Sequence, residues 1–308
     1  MQSKELKTVV FYYTQSGQAL SVARSICEPM EKVGACIVYK EIIPVQQYPY
    51  PWSKYEFFDS FPETRLGMPP SGIHQIDLTD ADDVDLVIIV GQSWFLSPSL
   101  PLQSFFEDTE VRRYLKGRNV LFVNACRNMW LMTSRKVKAY LRDIQAHLVG
   151  HIVLQDRHPN LVSALTIVRW LMYGKKGRSF LLPSAGISDA DISDCSKYGG
   201  IILDGISDGG FSQLQDRLLA SGAIDYKPSI LFLEKAGHRM FGFWAKFIRR
   251  KGGFRDKRRR LRVECFFYYL LFVLFLISPL GQLFFYLTYP LHRVRQHQSE
   301  DCSLMFNV

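Results

Sequence analysis

Between Cys265 and Leu291 lie 27 consecutive residues without an Asp, Glu, Lys, Arg or His. A straight helix of that length extends about 40 Å, against a hydrocarbon core of roughly 30 Å. A soluble core has little use for a helix so long and so apolar, so the run is expected to meet a membrane. Ser278, Pro279 and Gly281 fall near its middle, where proline removes a backbone donor and kinks the chain. Two arrangements are therefore expected: one kinked span, or a re-entrant hairpin of two short arms.

Charge is as unevenly spread as hydropathy. The formal net charge is +9, and the window from Lys246 to Arg262, with ten basic residues and the single acid Asp256, carries all of it. The high pI therefore describes one segment and argues against a nucleic-acid-binding body. A polybasic stretch abutting an apolar run is a topology signal and a contact for anionic lipid. Against Arg293 and Arg295 beyond the run, it places the front flank on the cytoplasmic side, at the inner membrane if the cell is bacterial. The N-terminal MQSKELKTVVFYYTQSG has too short an apolar run for a cleaved signal peptide. Six widely spaced cysteines, with no CxxC pair and no Cys/His cluster at ligand spacing, suit a reduced compartment and no metal.

Strand and helix patterns alternate over the first half. Val9–Tyr13 suits a buried strand opening into a helix from about Gly17 to Glu31, and Cys36–Lys40 a second strand. The β-branched runs Asp85–Gly91 and Asn119–Ala125 suit strands covered on both faces. Lys136–His147 follows as a helix and His151–Leu154 as a fifth strand. The aromatic and proline-rich stretch Pro44–Pro70 is expected to be a structured insertion, and Leu161–Tyr173 an apolar helix, by default part of the core and otherwise the lining of an alkyl channel. Ser188 and Asp191 form a capping box ahead of a helix reaching about Ile206. The pattern predicts a doubly wound parallel sheet whose ligand sits outside the carboxyl ends of the strands.

The loop Thr14-Gln15-Ser16-Gly17-Gln18-Ala19 lies where the first strand becomes a helix. A phosphate monoester there would meet free N–H groups, a helix dipole and two hydroxyls, with Gly17 allowing close approach. The absence of a GxxxxGK[ST] pattern separates it from a Walker A loop. On these six residues alone a plain capped turn is equally good. Two later loops fall on the same rim: Gly91-Gln92-Ser93-Trp94-Phe95-Leu96 and Cys126-Arg127-Asn128-Met129-Trp130.

The first loop resembles the [ST]-x-[ST]-G-x-[TA] phosphate loop of the flavodoxin family, matched by Thr14, Ser16, Gly17 and Ala19. The resemblance implies a flavodoxin-like five-stranded parallel sheet with FMN bound by residues 14–19, Gln92–Leu96 and Cys126–Met129. Trp94 or Phe95 would stack on the ring, and Arg127 would face its negative charge. FYYTQSGQ, YPYPWS, WFLSPSLP, ACRNMWLM and LQDRHPNLVS resemble more narrowly the flavodoxin-like proteins of dialkylresorcinol and flexirubin-type pigment pathways, labelled dialkylresorcinol condensing enzymes. Condensation needs an activated cysteine with histidine partners, which is missing here. The resemblance implies instead an FMN oxidoreductase that aromatises a 2,5-dialkylcyclohexane-1,3-dione supplied by a ketosynthase partner. His158 would take the proton and Arg157 would stabilise the enolate, or Asp156-Arg157-His158-Pro159 would be a salt-bridged turn. An electron-transfer module for a membrane partner and a flavin-free scaffold are the competing readings. The expected division is a flavodoxin-like domain over 1–225, an amphipathic and polybasic linker over 226–263, a membrane segment over 264–291 and a polar tail over 292–308.

Overall fold

The computed structural model describes residues 6–207 and 210–297. Cys302 and residues 298–308 of the expected tail lie outside the described residues. In chain order the elements are β1 (Lys7–Tyr12), α1 (Gln18–Lys32), β2 (Cys36–Glu41), α2 (Lys54–Asp59), α3 (Phe61–Leu66), β3 (Leu86–Trp94), β4 (Ser97–Pro98), α4 (Leu100–Glu107), α5 (Thr109–Leu115) and β5 (Asn119–Cys126). There follow α6 (Leu131–Ile144), β6 (His147–Gln155), α7 (Asn160–Tyr173), α8 (Asp189–Asp194), α9 (Ser196–Ser207), α10 (Leu214–Ala220), α11 (Pro228–Arg249), α12 (Arg260–Phe272) and α13 (Ser278–His297).

Five strands pair in parallel in the order β2-β1-β3-β5-β6, with two-residue β4 hooked antiparallel onto β3. This is the flavodoxin-like order, with its switch point between β1 and β3. Alternation along β1 shows why it is covered on both faces. Val9 and Phe11 join Ile89, Phe105, Phe122 and Leu141 on one side, while Val10 and Tyr12 join Ile26, Ile88, Leu121 and Leu218 on the other. Helices α8 and α9 divide at Cys195, whose N–H bonds Ile192 three residues back, so the single helix expected there is two. In α9, a Cβ on Gly199 would stand 2.0 Å from the Ile26 carbonyl; glycine is what lets α9 lie against the α1 backbone.

A further layer of helices lies at the carboxyl edge of the sheet. Segment 226–263 is part of it and is no free linker, because α11 supplies a cap for another helix. Its Glu234, fully buried, accepts the Leu131 and Met132 N–H groups at 3.2 and 2.8 Å at the start of α6. Helix α6 has no side-chain cap of its own, so a carboxylate from elsewhere satisfies its dipole and orphan donors. Burial pushes the Glu234 carboxyl up to about 7, against the lowering effect of those N–H groups. A folded-state pKa above the unfolded value means the native state holds the extra proton, so stability is greatest below the unfolded pKa and falls as pH rises toward 7. We expect the unfolding free energy read from urea titrations to decline between pH 5 and 8 by about 1.4 kcal/mol per unit of that shift. Glu234→Gln should flatten this decline, and an unchanged profile would rule the residue out as its source.

The apolar run forms one helix without reversal. A π-turn over Val273–Ile277 joins α12 to α13, and the Ser278 N–H bonds the Val273 carbonyl five residues back. The widened turn precedes Pro279 and accommodates the missing donor, as π-bulges do. The re-entrant hairpin is therefore corrected: Pro279 bends the hydrogen-bonding pattern without turning the chain.

Nor is the basic window free as a whole. Arg259 is 0% exposed, with its Nε 2.6 Å from Asp59 and its Nη1 2.7 Å from Glu63. Its Nη2 donates to the Asp59 carbonyl and, at 3.0 Å, to Glu63. The Arg255 N–H donates to Asp59 at 2.8 Å, and Arg249 stands 3.6 Å from Glu63. This charge cluster fastens the start of α12 to α2 and α3. Phe61 stacks on Phe266 at 3.8 Å beside it, within a core of Phe58, Phe241, Ile248 and Val263.

Candidate functional site

A cleft of about 220 Å³ opens at the carboxyl ends of β1, β3 and β5. Three expected loops meet in it: Gln15, Ser16, Gln18 and Ala19 from the first, Gln92, Ser93, Trp94 and Phe95 from the second, Cys126 and Arg127 from the third. Thr14, Gly17, Leu96, Asn128 and Met129 do not line the wall. Thr14 and Gly17 shape the loop, and Asn128 braces the third.

The first loop is built to leave donors unused. Gln15 spends its side chain on the Tyr48 and Pro49 carbonyls at 3.5 and 3.4 Å and on the Trp52 indole N–H at 3.3 Å. Gln18 is bound to the backbone of Ile187, its Nε2 2.9 Å from the carbonyl. That leaves the exposed Ser16, the first-turn N–H groups of α1, and the Thr14 hydroxyl, which is buried without a hydrogen-bond partner. Gly17 sits at φ 83° as the α1 N-cap with no side-chain cap, a left-handed position that glycine adopts without strain. A buried orphan hydroxyl beside uncapped N–H groups asks for an acceptor.

The second loop is a two-residue turn between β3 and β4 in which Phe95 and Leu96 both have positive φ, 47° and 61°. Such turns ordinarily use Asn-Gly, and bulky residues there are strained. Packing holds them: Phe95 lies on Phe57 and Phe61 at 4.8 and 5.2 Å, and Leu96 rests against Gly237 of α11. Trp94 lines the cleft but is buried among Tyr13, Tyr48 and Trp52 at 5.5–6.0 Å. It is wall rather than a free stacking platform.

The third loop carries the charge. Arg127 donates to the Asn160 carbonyl and Oδ1 at 2.9 and 2.8 Å, and Asn128 donates to the same Oδ1 at 2.8 Å. No Asp, Glu, Lys or His lines the cleft among the described residues, so Arg127 gives its wall a net positive charge. Burial lowers the guanidinium to about 10, opposed by Asp156; it remains a cation at neutral pH.

The expected proton-transfer pair is not brought there. Arg157 is 74% exposed and bridges Asp191 at 2.8 Å. His158 is folded back on Asp156, whose Oδ1 accepts its backbone N–H at 3.0 Å and meets its Nδ1 at 2.7 Å, while Ser163 donates to the other oxygen. Neither residue lines the cleft. The Asp-x-His spacing makes a closed, hydrogen-bonded local turn.

Sequence reasoning missed Tyr50, Phe57 and Gly186 as cleft residues. The aromatic insertion delivers the first two, and α7 adds Ile167, Trp170 and Leu171. The density of aromatics between Pro44 and Pro70 was the available signal. Only tertiary structure shows that Tyr50 and Phe57 turn toward the loop after β1.

No protein-family model matches the chain, and no curated protein matches it. Solved structures similar to it include flavodoxins and flavoproteins. A flavodoxin from the domain Archaea is 11% identical, with TM-score 0.38, over 66% of this chain and 99% of its own. A flavoprotein in complex with FMN from Lactobacillus acidophilus is 18% identical, TM-score 0.39, over 48% and 93%. Two-electron reduced Megasphaera elsdenii flavodoxin is 14% identical, TM-score 0.33, over 49% and 88%. The fold assignment rests on the strand order described above.

Proposed function

We propose that this chain is a membrane-associated FMN oxidoreductase that takes an alkylated cyclic 1,3-dione and aromatises it to a dialkylresorcinol. The observation that carries the flavin reading is the first loop: exposed Ser16 and the uncapped start of α1 open onto a positively charged cleft, and the same loop holds the orphan Thr14 hydroxyl. Thr14, Ser16 and the N–H groups of residues 16–19 would hold the phosphate. The ring would lie between the Gln92–Phe95 and Cys126–Arg127 loops. The cleft is below the usual 300–1,000 Å³ of ligand sites, so Tyr50 and Phe57, both half-buried, are the side chains to give way.

Bound FMN would supply a two-electron acceptor for hydride. Loss of one hydride and one proton from adjacent ring carbons, followed by enolisation, turns the dione into the aromatic diol. The proton leaves the ring carbon between a carbonyl and the hydride-losing carbon and passes to water, and the enolate that develops there needs a cation beside its oxygen. Arg127, pinned by Asn160, supplies that charge at a fixed place. Phe57, Phe95, Ile167, Trp170 and Leu171 offer apolar walls to alkyl chains, each buried methylene contributing about 0.8 kcal/mol.

Purified protein incubated with FMN and then freed of unbound flavin by gel filtration is expected to stay yellow and absorb near 450 nm, and anaerobic addition of a 2,5-dialkylcyclohexane-1,3-dione should bleach it. Binding without bleaching would point to an electron-transfer module, and a colourless protein to a scaffold; the first would overturn the aromatase reading, the second the flavin site.

A further inference from the structure

Between Cys265 and Thr288 the long helix carries no ionisable Asp, Glu, Lys, Arg or His on any side, yet only one side meets protein. Its inner face is occupied along its length: Phe266 stacks on Phe61, Ser278 accepts from Asn160 at 3.1 Å, and Phe285 meets Phe232 of α11 at 5.8 Å. Helix α11 runs antiparallel beside it, with Trp244 against Tyr269 at one end and Ser229 against Tyr286 at the other. The outer face carries Leu261, Tyr268, Phe272, Leu276, Leu280 and Leu287, all 54–72% exposed. Their spacing of 7, 4, 4, 4 and 7 residues follows a heptad stripe with one extra residue at the π-turn. That extra residue keeps the stripe on one side as it passes Pro279.

We infer that this stripe lies in the plane of an anionic bilayer, at the headgroup–acyl boundary, and that the chain is monotopic. The inference rests on the membrane association proposed above but not on the flavin. Perpendicular insertion would carry the docked protein with the helix. Exposed Arg239 on α11 and the Arg127–Asn160–Ser278 chain of hydrogen bonds would enter hydrocarbon, where charged and polar groups are costly. Lying flat, the outer face buries its apolar side chains and leaves the domain in water. Charge selects the occupant. At the α11–α12 turn, Lys246, Arg250, Lys251, Arg255 and Lys257 are exposed, a cationic cluster suited to anionic headgroups. A second copy of the same turn would be repelled by it.

The test is a depth scan on the full chain. The exposed Cys36 and Cys265, together with Cys302, are changed to serine, and single cysteines at positions 261, 268, 272, 276, 280 and 287 carry an environment-sensitive fluorophore. Quenching by lipids brominated at defined acyl depths, in vesicles of phosphatidylglycerol and phosphatidylcholine, should report one shallow depth at all six positions. Lys251→Glu with Lys257→Glu should weaken partitioning into these vesicles by about fivefold or more for each site. A depth that deepens and then shallows along the helix, with the C-terminal tail protected inside the vesicle, would overturn monotopic docking in favour of a span. No quenching in any vesicle, with disulfide formation between unlabelled single cysteines at position 272 of two copies, would overturn the lipid partner itself.

Discussion

Arg259→Met is expected to destabilise the protein by about 3–5 kcal/mol, the usual cost of removing one partner from a buried ion pair. The substitution leaves Asp59 and Glu63, 1% and 2% exposed, facing each other with less positive charge between them. Arg249, 3.6 Å from Glu63, is half-exposed and compensates weakly. The accompanying change of Asp59 to leucine and Glu63 to methionine removes the stranded charges and should restore most of the loss, since a packed apolar cluster of similar volume replaces a buried ion cluster well. Urea unfolding of the single and triple variants reads this out. A single variant within 1 kcal/mol of the parent would show that the cluster does not hold the long helix to the body.

Ser16→Asp should weaken FMN binding by roughly 10²–10³-fold. Two unit charges about 4 Å apart interact by roughly 4 kcal/mol at an effective dielectric constant of 20, and about 1.4 kcal/mol is tenfold in affinity. Ser16 is exposed, so folding should be unaffected and the loss confined to binding. Thr14→Val provides the complementary variant. Removing a buried hydroxyl that lacks a partner should leave the ligand-free protein as stable or more so, while FMN affinity falls about tenfold. Titration followed by flavin fluorescence measures both, and an unchanged affinity in Ser16→Asp would move the phosphate away from this loop.

Much of the sheet was legible because its strands are buried on both faces. Continuous β-branched runs such as Leu86–Val90 and Val120–Val123 have few other uses, and their spacing leaves room for crossover helices. Strand ends were less legible. β6 begins at His147, four residues before the expected His151, because its exposed first residues pair with β5 without showing an apolar signal. The glycine turn and uncapped start of α1 were readable from a local pattern, since both depend on neighbours in sequence.

What the sequence determined by itself is therefore local: strand order candidates, a glycine-bearing turn, and a helix too apolar for water. Tertiary structure decided which of these meet. It put Tyr50, Phe57 and Trp170 into the cleft, folded His158 onto Asp156 and away from it, and buried one arginine of a run that reads as uniformly solvated. The physical reason is the same throughout. Periodicity reports that a side chain leaves water, but the partner it meets is set by chain reversals about 200 residues apart, as between Asp59 and Arg259, and no local pattern encodes such a pairing.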